Sequence, residues 1–268
     1  MRVEKLYIIG LCDNKSNEVM ESCKALFHKY KTRTDQRPSR IELILLDSDS
    51  KAYKDGKQLN MQLHLPKAMK KECDIWKDGS EPATNGNTAS GKDGKLEVSG
   101  SVKGGVGVYL VAHGQPESMS SNTKPAAAAN VIVWATGDDA VAIDKLVLLA
   151  CYVGKETGTD GQSPKGFVVT LCQVLAGTAP KDVQKNFSYT KTVTCHPKVA
   201  GWDAVVSVYF DGTTQNFTPA NASPDAIGRK VIEGGDWGAD KRKLKHAYQV
   251  ATSGSLQILS DTGWSDKA

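Results

Sequence analysis

The chain has no long apolar run, no pair of cysteines at C-x-x-C spacing, and neither of the common glycine-rich phosphate signatures. Each absence removes a class of protein. Without a stretch of roughly 18–20 apolar residues, no helix is expected to span a bilayer. Without C-x-x-C pairs, and with His28, His64, His113, His196 and His246 scattered, no metal site is expected. The turn after the first apolar run offers only Gly10-Leu11-Cys12-Asp13 in place of G-x-G-x-x-G, and no Walker A sequence occurs, so nucleotide binding is the weaker reading. Residues Met1–Asp13 carry an apolar stretch of only about six residues before turning polar, too short for a secretory signal. A net charge of +4 over 268 residues is thinly spread and predicts no nucleic-acid partner.

What is present is an ordinary globular composition, 40% hydrophobic and 24% charged, in a chain long enough to bury a core without covalent staples. Six cysteines stand at positions 12, 23, 73, 151, 172 and 195. A chain of this length with no export signal does not need disulfides, so reduced thiols in a cytosol-like compartment are expected. The same reasoning allows a protein delivered into another cell's cytosol by a specialised secretion system. The remaining question is whether one thiol is a nucleophile.

The order of elements predicts an α/β fold, a mostly parallel central sheet flanked by helices, with a small β-rich C-terminal extension. Lys5–Leu11 reads as a buried strand. Ser16–Tyr30 reads as a helix with Val19, Met20, Cys23, Leu26 and Phe27 on one face, and Arg40–Leu46 as a second strand. A helix is expected over Met61–Cys73. Asp78–Asp93 is rich in Gly, Ser, Asn and Thr and reads as an exposed loop, part of an insertion at about 78–100 with a small hairpin around Leu96–Val98. Val106–Ala112 and Lys145–Ala150 are further strands, and Gly166–Leu175 a helix ended by Gly177. Thr190–Thr194, Val205–Phe210 and Leu256–Leu259 read as short strands and Ser223–Ile232 as a helix. One domain is expected over 1–268, with a C-terminal subregion at about 211–268.

In a parallel sheet the ligand crevice lies outside the carboxyl ends of the strands. Two residues with chemistry occupy such positions: His113 directly after Val108–Ala112, and Cys151 directly after Leu146–Ala150. An imidazole near a thiol stabilises the thiolate and can return a proton to a leaving group. Gly114 has no side chain to block approach of its amide to a carbonyl oxygen.

Val111-Ala112-His113-Gly114 and Leu148-Leu149-Ala150-Cys151-Tyr152-Val153-Gly154 resemble, in type, order and strand setting, the two motifs of the caspase-fold (clan CD) cysteine peptidases. The resemblance implies a Cys151–His113 dyad, an oxyanion hole from the amides of Gly114 and Cys151, a protein or peptide substrate, and no cofactor for the chemistry. Leu149 stands where caspases, legumains and clostripain-like enzymes carry Gln, Glu and Asp. An apolar residue there, with Gly166-Phe167 opening a later helix, is most similar to the self-processing domains of bacterial toxins and effectors. In that branch inositol hexakisphosphate is a common activator. The resemblance would place it on Arg229, Lys230, Lys241, Arg242, Lys243 and Lys245, a run that reads equally as a solvated face.

Other readings accompany these. A cysteine ending a buried strand is ordinarily an inert small hydrophobe, as Cys12, Cys23 and Cys172 illustrate. Asp13 and Asp47 could orient His113 or line a pocket, and helix capping or turn formation explains them equally well. Trp134, Trp202, Trp237 and Trp264 are candidate pocket walls. Cys195-His196 is a rival dyad, disfavoured because neighbours on a strand point to opposite faces. A catalytically inactive module of the same fold, acting as a binding scaffold or regulator, is the alternative function.

Overall fold

Alternating apolar runs and amphipathic stretches build an α/β protein. In the computed structural model the described residues are 3–13, 18–31, 38–49, 87–90, 95–98, 104–157, 165–203, 205–207, 230–232 and 245–260. They fall into two compact units, one formed by Arg2–Val111 with Ser207–Lys230, the other by Ala112–Val206 with Val231–Ala268.

In the first unit, β1 (Lys5–Cys12) and β2 (Arg40–Asp47) pair in parallel, from Lys5 opposite Arg40 to Cys12 opposite Asp47. The connection contains α1 (Glu18–Lys31). Val19, Met20, Cys23, Leu26 and Phe27 are all buried, the stripe that the sequence spacing predicts, and Tyr30 extends it. Full burial of such side chains stabilises by about 1.5–3 kcal/mol each before the entropy of ordering them is counted. A hairpin of β3 (Asn87–Ser90) and β4 (Lys95–Val98) continues the sheet, with β4 antiparallel to β2. The hairpin is the expected one, but its first arm lies within the stretch read from sequence as loop. Backbone pairing, unlike core packing, does not need the apolar residues whose scarcity suggested a loop. Buried β5 (Val106–Ala112) has its tyrosine hydroxyl, that of Tyr109, 2.9 Å from that of Tyr30. Strand order in this unit is β5-β1-β2-β4-β3.

The second unit holds a short hairpin, β6 (Gly114–Gln115) with β7 (Ser118–Met119), then α2 (Pro125–Thr136) and β8 (Ile143–Leu149). It continues through α3 (Phe167–Leu175), α4 (Lys181–Gln184) and β9 (Lys198–Trp202). β9 pairs in parallel with β8, Lys145 opposite Lys198 and Val147 opposite Ala200. β10 (Val205–Ser207) and β11 (Lys230–Ile232) follow. β12 (Lys245–Val250) then lies antiparallel to β9, and β13 (Leu256–Ile258) antiparallel to β12. The C-terminal strands thus extend the order β8-β9-β12-β13.

Two sequence expectations fail here, and one helix goes unpredicted. Lys230–Ile232 is strand where a helix was expected. Thr190–Thr194 forms no strand, because the Thr190 hydroxyl donates to the Phe187 carbonyl and the Thr192 and Val193 amides to the Tyr189 carbonyl. Such local bonds compete with a strand ladder. α2 escapes the periodicity test because it is apolar nearly all round, with Ala126, Ala128, Ala129, Val131, Ile132 and Val133 all buried. The expected helix over Met61–Cys73 lies outside the described residues.

Candidate active site

β5 ends at Ala112 and β8 at Leu149, and the chain just beyond each is brought together within the second unit. A Cβ added to Gly114 would stand 2.2 Å from the Cys151 carbonyl oxygen, 2.6 Å from its amide nitrogen and 2.8 Å from the Ala150 Cβ. Side-chain carbons essentially never come within 3.0 Å of such atoms, so this position requires glycine. His113 and Cys151 are both half-buried.

The His113 backbone is held on both sides by one residue. Its N–H donates to the Ser120 hydroxyl at 3.0 Å, and its carbonyl accepts the Ser120 N–H at 2.9 Å. The β6–β7 hairpin between them pairs Gly114 with Met119 and Gln115 with Ser118.

The turn after Cys151 is seated on β9. Tyr152 adopts a left-handed conformation, φ 56°, that side-chain-bearing residues seldom occupy. Val153 is buried, and the Gly154 N–H donates to the Trp202 carbonyl at 2.9 Å. A Cβ on Gly154 would lie 2.7 Å from the Trp202 carbonyl carbon and 2.8 Å from that of Gly201, so the contact is backbone against backbone. Two residues on, Glu156 accepts a short hydrogen bond from the Tyr248 hydroxyl of β12. The strand-end rule finds Cys151 in the sequence and Trp202 is among the candidate pocket walls, but no sequence signal marks Tyr248 or Ser120.

The described thiols differ sharply. Among the described residues Cys12, Cys23, Cys172 and Cys195 are buried, and Cys151 is half-buried. Burial pushes the Cys195 thiol up to about 12 and Cys172 higher still. Cys195 and His196 make a poor dyad for a second reason. The His196 Nδ1 lies 3.0 Å from the Val250 carbonyl, an acceptor only, so that nitrogen carries a proton and is occupied.

Burial also raises the Tyr248 hydroxyl, with Glu156 adding to the shift. Each of these three groups binds its proton more tightly folded than unfolded. Their contribution is intact below the unfolded values, about 8.5 for Cys and 10 for Tyr, and is lost as pH rises toward the folded ones. Thermal melts are therefore expected to lose stability progressively above about pH 8.5, less steeply in Cys195→Ala than in the parent.

Other sequence candidates fall elsewhere. Asp47 ends β2 in the first unit, where a carboxylate oxygen accepts the Asp49 amide at 3.0 Å, the turn-forming role. Asp13 follows β1 in the same unit and is half-buried. Lys245 begins β12 with its ammonium 5.8 Å from the centre of the Trp202 ring, and Lys230 begins β11. Arg229, Lys241, Arg242 and Lys243 lie outside the described residues, as do Trp237 and Trp264; Trp134 is half-buried on α2. Among the described residues no cluster of three or more His, Cys, Asp or Glu could hold a metal ion, and no helix is long and apolar enough to cross a membrane. No protein-family model matches the chain, and no curated protein matches it.

Proposed function

We propose that this protein is a cysteine endopeptidase of the caspase fold, with Cys151 as nucleophile and His113 as proton shuttle. One observation supports the reading most: Gly114 lies against the Cys151 backbone, which holds the imidazole-bearing and thiol-bearing segments in contact. The half-exposure of Cys151, against the burial of the four other described thiols, adds to it.

In the proposed reaction His113 takes the Cys151 proton and the thiolate attacks the scissile carbonyl carbon. The carbonyl electron pair moves onto oxygen, where the amides of Gly114 and Cys151 are the proposed donors. Collapse expels the amine, which takes the proton from His113, and leaves a thioester on Cys151. Water then attacks the thioester, giving one proton through His113 to the departing sulfur and releasing the acid. Only groups of this chain, a peptide and water take part. The buried Leu149 puts no negative charge two residues before the nucleophile, so one source of a preference for basic side chains is absent.

The test is the pH profile of Cys151 alkylation by limiting iodoacetamide, mapped by peptide mass. Cys151 is expected to react at neutral pH faster than an ordinary thiol of pKa about 8.5, by roughly tenfold or more, and His113→Ala to remove the excess. Exposure alone would also favour Cys151, so the histidine dependence is decisive. A rate unchanged by His113→Ala would overturn the dyad and leave the non-catalytic binding module.

A further inference from the structure

We infer that Ser120 is the positioning residue for both His113 and the Gly114 amide, an inference that rests on the peptidase reading. Ser120 is 6% exposed and holds the His113 backbone from both sides. The bond that its hydroxyl accepts fixes the peptide unit entering His113. The bond from its N–H fixes the unit leaving it. Because a peptide unit is planar and trans, anchoring the His113 carbonyl also sets the direction of the Gly114 N–H at the other end of that plane. One serine thus orients the exit of the imidazole from the backbone and the aim of a proposed oxyanion donor.

The chain is bent to keep Ser120 there. The Thr123 hydroxyl and amide donate to the Ser120 carbonyl at 2.7 and 3.2 Å. Met119 and Thr123 exchange backbone bonds at 2.9 and 3.0 Å. Between them Ser121 and Asn122 are consecutively left-handed, φ 54° and 59°. For Ser121 that conformation is unfavourable, and such residues persist only where their surroundings over-determine them. The enclosed residue is the one that grips His113.

The experiment compares the Cys151 alkylation pH profile in the parent, His113→Ala, Ser120→Ala and Ser120→Thr, with thermal melts confirming that each is folded. Ser120→Ala is expected to move the profile up toward that of an ordinary thiol and lower the pH 7 rate about tenfold. Ser120→Thr keeps the hydroxyl and should retain the parent profile. Should the alanine variant not fold, Ser120→Cys keeps the volume, weakens the acceptor and should shift the profile in the same direction. A parent profile that depends on His113, overlaid by those of folded Ser120→Ala and Ser120→Cys, overturns the positioning role while the peptidase reading stands. An ordinary parent profile indifferent to His113→Ala overturns both.

Discussion

Cys151→Ala is expected to abolish peptide-bond cleavage, lowering kcat by roughly four to six orders of magnitude, and His113→Ala to come close to it. The size follows from the proposed chemistry. Without the sulfur no thioester forms, and without the imidazole neither the thiolate nor the leaving amine has a proton partner. Because the two act as one unit, the double variant should be barely worse than either single one. Release of labelled peptides from an unfolded protein substrate provides the measurement, with intact mass of the chain itself reporting self-cleavage. Cleavage that persists in purified Cys151→Ala would end the reading. Removing any of the buried thiols should act on stability instead, since Cys172 and Cys195 hold their protons far above neutral pH.

Gly114→Ala has the second largest expected effect, and it touches neither reacting side chain. Its methyl carbon would start 2.2 Å from the Cys151 carbonyl oxygen and 2.6 Å from the Cys151 nitrogen. Those are backbone atoms at the end of a buried strand, with no flexible side chain to swing aside. The segments must separate by about 1 Å, and a displacement of that size in a catalytic constellation can cost about 100-fold in rate. Forcing a methyl into such a contact also costs about 1–3 kcal/mol of stability. The expected outcome is a folded protein with a lowered melting temperature and kcat down by two to three orders of magnitude, roughly the scale of a lost oxyanion donor. Parent-like turnover in Gly114→Ala would show that the contact has no part in the chemistry.

Much of the scaffold could be read from the residues. β1, α1, β2, β5, β8 and α3 follow from apolar runs of strand length or helical stripes, and lie within a residue or two of where those patterns predict. Position at a strand end was enough to single out His113, Gly114 and Cys151. The parts that could not be read escaped for separate reasons. α2 buries side chains nearly all round and has no polar face to give a period. β9 and β12 are central to the second unit, yet Ala200, Gly201 and Ala247 give them little strand signature. Ser120 and Gly154 matter through backbone bonds made after the chain has folded back, and a lone serine or glycine carries no trace of its eventual partner.

The seat of the Cys151 turn has a consequence in time. Gly154 rests on Trp202, and β9, to which Trp202 belongs, is flanked by β12 at Lys245–Val250. Ribosomes add roughly 5–20 residues per second, so about 100 further residues take on the order of 5–20 s. The thiol is synthesised that long before the strand that completes its support. On the proposed reading, the Cys151 turn lacks its β9–β12 seat while the chain is being made, so self-cleavage would begin only after about residue 250 has been synthesised.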